Sequence, residues 1–262
     1  MSDSARPDRL TVLVTGASAG IGVACAEQFA ARGDRLVLCA RRIDRVREVA
    51  QHLRDAHRAE VHAFELDVRD AAAVDGAIAS LPQPFDAIDV LVNNAGLSRA
   101  LDPAYANQVR HIDEMIDTNV KGLLHVTRAV VPGMLQRGRG HVINIGSTAG
   151  HEVYPGGTVY CASKHAVDAI TRGLKMDLHG SPVRVSSVDP GLTETDFSLV
   201  RFEGDARRAE AVYATTDPLT ADDVADAVLW VATRPARVNV ADVVMMPTAQ
   251  SAATMIARRQ QG

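Results

Sequence analysis

Tyr160 and Lys164 stand four residues apart, and their types and spacing suit proton transfer. On a helix such residues share one face, which brings the lysine ammonium close to the phenol. An unperturbed tyrosine has a pKa of about 10, and a nearby positive charge lowers it toward neutrality. Ser147 stands thirteen residues earlier, at the end of an apolar run, where its hydroxyl could orient a substrate oxygen. The three residues together predict acid–base chemistry at an alcohol or carbonyl oxygen.

A glycine-rich turn after the first apolar run is suited to holding a phosphate group. It reads TGASAGIG over residues 15–22 and is expected to lead into a helix over residues 23–32. Glycines allow the backbone to approach a pyrophosphate, and the N-terminus of the next helix offers free N–H groups and a partial positive charge. The spacing GxxxGxG differs from the GxGxxG fingerprint, and such a turn can also serve packing alone. Its place after a first strand favours the phosphate interpretation.

Composition excludes several classes of protein. The chain has 262 residues, of which 47% are hydrophobic and 23% charged, and its net charge is −4. No basic excess for nucleic acid is present, no apolar run reaches the roughly 18 residues of a membrane span, and residues 1–9 lack the apolar core of a signal peptide. The three cysteines and nine histidines show neither disulfide nor metal-ligand spacing. A cytoplasmic protein without a metal, a membrane or a nucleic-acid partner is therefore predicted.

The elements that must position these residues alternate along the chain. Short apolar β-branched runs are separated by longer amphipathic stretches, which predicts a parallel sheet with crossover helices. The predicted strands are Leu10–Thr15, Arg35–Cys39, Glu60–Glu65, Asp89–Val92, His141–Ile145, Arg184–Val188 and Asn239–Val244. The main predicted helices are Ile43–His57, Met115–Gln136 and Val159–His179. No linker divides the chain, so residues 1–262 are predicted to form one α/β domain, interrupted by a polar, partly helical insert over residues 192–217.

Six motifs in this order resemble those of the short-chain dehydrogenase/reductase family. They are TGASAGIG at 15–22, NNAG at 93–96, Asn119 in TNVKG, Ser147 in GSTAG, YCASK at 160–164 and DPG at 189–191. The resemblance covers about residues 10–248 and implies a single Rossmann-type domain, with a doubly wound, seven-stranded parallel sheet and helices on both faces. Further segments, among them MMPT at 245–248, are similar to the branch that oxidises serine and related 3-hydroxy acids with NADP.

The resemblance also implies roles for individual residues. Ser147, Tyr160, Lys164 and Asn119 are the implied catalytic residues, and Asn119 is expected to hold a water that links Lys164 to solvent. Thr193 is expected to bond the nicotinamide carboxamide, and Asp67 the adenine amine. The full set of implied cofactor-binding residues is Gly16, Ser18, Gly20, Ile21, Gly22, Arg41, Arg42, Asp67, Val68, Asn93, Ala95, Gly96, Tyr160, Lys164, Pro190, Gly191 and Thr193.

The end of the second predicted strand indicates NADP(H) rather than NAD(H). Members of the family that use NAD place an acidic residue there to accept the ribose hydroxyls. Here Ala40 is followed by Arg41 and Arg42, and arginine offers a bidentate, charge-assisted partner for a 2′-phosphate. The alternative is that both arginines only solvate the start of the next helix, and Arg42 is the weaker candidate of the two.

The insert is expected to cover the substrate. A small hydroxy acid carries a carboxylate, which needs a cation once it is desolvated. Arg201 is the substrate-binding candidate because it lies between Val200 and Phe202 and could point inward, although it could instead pair with nearby acidic residues on the surface. Arg99 is a second candidate. The segment around Arg99 departs from the 3-hydroxy acid branch, which leaves open a reductase of small uncharged aldehydes or ketones.

Two further questions stay open at this point. A catalytically silent NADP-sensing module would share the fold, but it has no need for Ser147, Tyr160 and Lys164 together. The resemblance implies a homo-oligomer built on the two helices expected over residues 113–137 and 155–180, a tetramer or a dimer. The predicted partner is thus a small-molecule substrate together with other copies of the same chain.

Overall fold

The computed structural model describes residues 9–259, which include a seven-stranded parallel sheet in the order β3-β2-β1-β4-β5-β6-β7. The strands are β1 (Thr11–Thr15), β2 (Arg35–Ala40), β3 (Val61–Glu65), β4 (Val90–Asn93), β5 (Gly140–Ile145), β6 (Val183–Pro190) and β7 (Asp242–Met245). The chain runs from β1 out to β3 and returns to β4 on the other side of β1, which is the doubly wound arrangement. Most of the N-terminal segment for which no signal peptide is predicted lies outside the described residues.

All seven predicted strands are present, and the predicted fold class is confirmed. The largest displacement is at β7, which begins at Asp242 rather than at Asn239. Asn239 instead uses its side chain to cap the sheet edge: its Oδ1 accepts from the N–H of Val185 and its Nδ2 donates to the Val185 carbonyl. An asparagine amide can replace the backbone in this way, so the apolar pattern alone placed the start of the strand too early.

Helices cover both faces of the sheet. They are α1 (Gly20–Ala31), α2 (Ile43–His57), α3 (Ala71–Ala79), α4 (Val109–Ile116), α5 (Leu123–Arg137), α6 (Thr158–Asp177), α7 (Phe197–Arg201), α8 (Ala206–Tyr213) and α9 (Ala221–Ala232). α1, α2 and α9 pack on one face, and α3, α5 and α6 on the other. β1 shows the reason: Val12 and Val14 enter one core and Leu13 the other, so its apolar run has no polar face.

The helix predicted over residues 113–137 is not uniform. α4 and α5 are joined by a π-helical turn, Asp117–Gly122, in which Thr118 and Asn119 are buried. Such turns occur often at functional sites. A Cβ on Gly122 would lie 2.5 Å from Val68 Cγ2, so the glycine lets this turn pass close to the loop after β3.

The predicted insert contains α7 and α8, and a two-stranded antiparallel hairpin, β8 (Gln250–Ala252) and β9 (Met255–Ile256), follows β7. Gln250 ties the hairpin to the insert, because its Oε1 accepts from the N–H of Leu192 at 2.8 Å. Within residues 9–259, no helix has both the length and the apolar character needed to span a membrane.

Candidate active site

A pocket of about 860 Å³ opens at the carboxyl ends of the central strands. This is where open parallel sheets bind ligands, at the point where the strand order reverses between β1 and β4. The pocket runs from the glycine-rich turn, past the end of β2, to α6 and the insert. The candidate residues in its wall are Gly16, Ser18, Gly20, Ile21, Arg41, Arg42, Asp67, Val68, Ala95, Gly96, Ser147, Tyr160, Lys164, Pro190, Gly191, Thr193 and Arg201.

The glycine-rich turn is held by the neighbouring loop after β4. Thr15 Oγ1 accepts from the N–H groups of Asn94 and Ala95 at 3.0 Å each, and Asn94 Nδ2 donates to the Thr15 carbonyl at 2.9 Å. Gly16 has φ +67°, and a Cβ there would lie 2.9 Å from the Cα of Ala95. The close approach of the two loops therefore requires a glycine at position 16.

The helix after this turn begins at Gly20, three residues earlier than expected. Gly20, Ile21 and Gly22 therefore form the first helical turn rather than the loop. Because Gly20 and Ile21 line the pocket, the free N–H groups of the first turn of the helix lie at its wall, which suits an anion. Gly22 does not line the pocket; a Cβ on it would lie 2.6 Å from Asn94 Nδ2, so the close packing there requires a glycine.

Both arginines after β2 line the same end of the pocket. Arg42 donates to Ser18 Oγ at 3.0 Å and so contacts the glycine-rich turn. Arg41 is 47% exposed and lies 3.7 Å from Glu114, a loose ion pair that leaves most of its donors free. The predicted adenine partner, Asp67, is in the wall too, but it is held by Arg69, whose hydrogen bonds lower the pKa of the Asp67 carboxyl.

The predicted catalytic pair, Tyr160 and Lys164, lies on α6 with both side chains buried. Lys164 Nζ lies 5.9 Å from the ring centroid of Tyr160 and donates to the Ile145 carbonyl at 2.8 Å. Ser147 follows β5, its Oγ accepts from the N–H of Ala149 at 3.1 Å, and the same hydroxyl interacts with the Tyr160 phenol. The structure thus brings the three predicted residues into one group.

The expected effect of Lys164 on the Tyr160 pKa is not found in this state, and that expectation is corrected. Burial raises the pKa of Tyr160 above its usual value, against the opposing effects of the Arg201 charge and of a hydrogen bond with the Ser147 hydroxyl. Burial also lowers the pKa of Lys164 to about 8, against the opposing effect of Asp189. Desolvation penalises the charged form of each group, and it is the largest cause of both shifts.

Asn119 lies behind this group and does not line the pocket. Its Oδ1 accepts from the N–H of Leu97 at 2.8 Å, and its Nδ2 donates to the Leu97 carbonyl and to Ser163 Oγ. These bonds fix the loop after β4 against α6. A Cβ on Gly96 would lie 3.3 Å from Asn119 Oδ1 and 3.8 Å from Lys164 Nζ, so these groups border one small space.

Asn93 is also away from the pocket wall. Its Nδ2 donates to Asn144 Oδ1 at 2.9 Å and to Thr127 Oγ1 at 3.0 Å, inside the core. Its side chain therefore joins the ends of β4 and β5 and does not face a cofactor. Thr193 faces the pocket as expected, with its hydroxyl donating to the Gly191 carbonyl at 3.1 Å.

Arg201 points inward at the substrate end. Its guanidinium lies 5.6 Å from the ring centroid of Tyr160 and 5.0 Å from that of Phe197, and Nη2 lies 3.4 Å from the Tyr154 hydroxyl. Within residues 9–259 it pairs with no carboxylate, and its Nε is buried without a hydrogen-bond partner. The surface pairing with Glu203 does not occur, because Glu203 is bound by Arg110.

Arg99, the second candidate, also reaches the wall but is already paired. Its Nε donates to Glu114 Oε2 at 2.8 Å and its Nη2 to Glu114 Oε1 at 3.0 Å. The sequence reasoning missed Glu114, and it also missed Tyr154, Phe197 and Gln250 as parts of the site. No motif marks them, since each belongs to a different segment and meets the others only in the folded chain.

Comparison with known proteins finds relatives that match most of the chain. The family described as short chain dehydrogenase matches residues 10–206. The NADP-dependent 3-hydroxy acid dehydrogenase YdfG of Salmonella typhi is 48% identical over 251 residues, which are 95% of this chain and 100% of that protein. Sulfoacetaldehyde reductase 2 of Chromohalobacter salexigens is 46% identical over 241 residues, 92% of this chain and 95% of that one.

A solved structure is similar over nearly the whole chain as well. The closed form of serine dehydrogenase complexed with NADP+ superposes with a TM-score of 0.89 at 47% identity. The match covers 95% of this chain and 99% of that one.

Proposed function

This chain belongs to the short chain dehydrogenase family and is an NADP-dependent oxidoreductase, and we propose that it acts on small alcohols or aldehydes that carry an anionic head group. Its preferred substrates are 3-hydroxy acids such as serine or 3-hydroxypropionate, or their carbonyl counterparts. The observation that carries the proposal is the guanidinium of Arg201, which lies beside Tyr160 in the pocket without a carboxylate partner among the described residues.

The residues at the other end of the pocket fit NADP(H). Ala40 stands where an acidic side chain would repel a 2′-phosphate, and Arg41 and Arg42 border the same space. The glycine-rich turn and the first turn of α1 would hold the pyrophosphate, with Thr193 toward the nicotinamide. When bound, the cofactor supplies the hydride chemistry, and the chain supplies orientation and proton transfer.

Proton transfer is assigned to the group on α6 and β5. In the oxidation direction the phenolate form of Tyr160 accepts the proton of the substrate hydroxyl, and in the reduction direction the neutral phenol donates a proton to the carbonyl oxygen. Ser147 hydrogen-bonds the same oxygen and orients it. Lys164, whose Nζ borders the same small space as Asn119 Oδ1, is assigned the relay of that proton toward solvent.

The charge of Arg201 defines the head group. A desolvated carboxylate needs a paired cation, and a buried arginine without a partner needs an anion. The rings of Tyr160 and Phe197 lie beside the guanidinium, and the hydrogen bond that Nη2 donates to the Tyr154 hydroxyl, at 3.4 Å, leaves the charge without an anionic partner among the described residues. A head group bound there would hold the rest of the substrate beside Tyr160, because the Arg201 guanidinium lies 5.6 Å from the centroid of that ring.

A sulfonate is a second candidate head group. The relative from Chromohalobacter salexigens is named a sulfoacetaldehyde reductase, and a sulfonate presents the same negative charge to a guanidinium. Sulfonate and carboxylate differ in shape, so a test of the proposal must include both.

The test is a substrate panel with NADP+ and the purified chain. It compares serine, 3-hydroxypropionate, 3-hydroxybutyrate and 2-hydroxyethanesulfonate with uncharged 1-propanol. We expect kcat/KM for the best acid to exceed that for 1-propanol by at least about tenfold, from one charged hydrogen-bonded contact. An enzyme that is inert to all four acids and turns over neutral substrates is instead a reductase of uncharged aldehydes or ketones.

We further propose that residues 1–262 form one domain, with residues 192–217 as its substrate loop, and that the chain is a cytoplasmic homo-oligomer. Three buried, unpaired cysteines support a reducing compartment. Leu124 and Leu135 on α5 and Met176 on α6 are exposed apolar side chains, which supports an interface on those helices. Sedimentation equilibrium at micromolar concentration should show a tetramer or dimer, and a monomer would refute the assembly.

A further inference from the structure

Both carbonyl groups that flank the Cα of Arg201 are held by the loop after β4. Nη1 of Arg99 donates to the Val200 carbonyl, and the N–H of Ala100 donates to the Arg201 carbonyl at 2.9 Å. Ala100 has φ +52°, a conformation that residues other than glycine seldom adopt, and it aims this N–H at α7. The backbone of Arg201 is thus fixed by two neighbouring residues of a separate segment.

Arg99 is in turn fixed by Glu114 on α4. The two side chains form a bidentate pair with distances of 2.8 and 3.0 Å, and they are only 15% and 20% exposed. A bidentate pair sets the orientation of the guanidinium plane as well as its position. With two of its nitrogens engaged by Glu114, Arg99 directs the third toward Val200.

Arg99 and Arg201 differ in whether a carboxylate neutralises their charge. Glu114 neutralises Arg99, whereas Arg201 meets no carboxylate within the described part of the chain. An anionic ligand would therefore bind Arg201 and leave Arg99 in its ion pair. Arg99 reaches the pocket wall without being the group that recognises the ligand.

We propose that Arg99 and Glu114 are positioning residues, which hold Arg201 in place for the anionic head group of the substrate. The inference rests on the proposed function of Arg201. It assigns the loop after β4 and helix α4 to substrate specificity, although Glu114 itself does not line the pocket.

Glu114 also lies 3.7 Å from Arg41, at the cofactor end. That contact is loose and Arg41 is 47% exposed, so it contributes little. Removing the Glu114 charge should change the KM for NADP+ by less than about fivefold, the range of an exposed ion pair. The KM for the substrate therefore reports on the contact of Glu114 with Arg99, and the KM for NADP+ reports on its contact with Arg41.

The experiment compares Glu114→Gln with Asp113→Asn, an exposed neighbour on the same helix. Steady-state kinetics use NADP+ with 3-hydroxypropionate and with its methyl ester. For Glu114→Gln we expect the KM of the acid to rise about tenfold, with kcat and the ester constants within about threefold of wild type. Asp113→Asn should match wild type on both substrates. A Glu114→Gln enzyme with an unchanged preference for the acid would overturn the proposal.

The same substitution in an Arg201→Ala background separates positioning from general damage. There Glu114→Gln should add no further loss on the acid, because the residue that it positions is gone. An equal loss in both backgrounds would mean that Glu114 acts by another route. If Arg201→Ala alone keeps the acid preference, both the proposed function and this inference fail; if only Glu114→Gln keeps it, the inference alone fails.

Arg99→Lys is a second, milder substitution in the same ion pair, for the case that Glu114→Gln does not fold. Lysine keeps the charge but loses the planar fork, so the acid KM should rise by a smaller factor in the same direction. Thermal unfolding of each variant is measured first. A folded Arg99→Lys enzyme with wild-type constants on the acid would also contradict the positioning role.

Discussion

The two ends of the pocket are held by different kinds of contact. At the cofactor end the contacts join residues at the ends of neighbouring strands, such as the bonds that the Thr15 hydroxyl accepts from the N–H groups of Asn94 and Ala95. At the substrate end the contacts are side chains from separate segments, among them Arg99, Glu114 and Arg201. Strand register fixes the first end, whereas individual residues fix the second. Substrate preference can therefore change without disturbing cofactor binding.

The largest expected effect lies where the two ends meet. Tyr160→Phe keeps the ring that packs against Phe197 and removes the hydroxyl that exchanges the proton. We expect kcat to fall by about 10²- to 10⁴-fold with NADP+ and 3-hydroxypropionate, while the Kd for NADPH changes little. Stopped-flow kinetics and NADPH fluorescence titration measure the two quantities. A variant as fast as wild type would remove Tyr160 from the chemistry.

The next effect belongs to the cofactor end alone. Arg41→Ala removes a charged partner for the 2′-phosphate, so the KM for NADP+ should rise by about 10- to 100-fold and that for NAD+ much less. Arg42→Ala is the matched control, since Arg42 already donates to Ser18. The ratio of acid to ester activity should stay as in wild type. Equal changes for NADP+ and NAD+ would reject the assignment of Arg41.

A smaller effect concerns stability and follows from the buried Lys164. Its pKa in the folded chain is about 8, below the ordinary value of 10.5. Between these values the unfolded chain binds more protons than the folded chain, so the free energy of unfolding rises with pH. Burial raises the pKa of Tyr160, which reverses the trend above about pH 10. The window for the Lys164 effect is therefore about pH 8 to 10.

Lys164→Met should flatten this rise. Between about pH 7.5 and 9.5 the wild type is expected to gain about 2 kcal/mol more than the variant, as measured by urea unfolding without nucleotide. Lys175→Met is the control because Lys175 lies exposed on the same helix. Parallel pH dependence in wild type and Lys164→Met would show that the ammonium is not desolvated as the structure places it.

The same contrast explains what the sequence could predict. Strands covered on both faces leave apolar runs, and the glycine-rich turn and the pair Tyr160 and Lys164 have fixed spacing, so the sheet and the catalytic group were predictable. The NNAG motif carries no information on the direction of the Asn93 side chain, which bonds inside the core. Glu114 was missed because its bonds with Arg99 join residues fifteen apart through tertiary contact alone.

Two helix boundaries differ from the predicted ones for local reasons. Gly20 begins α1 with φ +54°, a left-handed conformation that favours glycine, and a Cβ there would lie 3.2 Å from Thr195 Cβ, so the residue that ends the turn also starts the helix. The π-helical turn at Asn119 keeps the apolar period of a longer helix, so the sequence showed one helix where the structure has two.

The most direct test of the account is the ratio of kcat/KM for 3-hydroxypropionate to that for its methyl ester, in wild type and in Arg201→Ala. Any effect of Arg201 on the Tyr160 pKa changes both substrates alike and cancels in the ratio. Recognition of the anion changes the acid alone. The account predicts that Arg201→Ala lowers the ratio by at least about tenfold. An unchanged ratio, with both substrates losing equally, would contradict it and make Arg201 a structural residue.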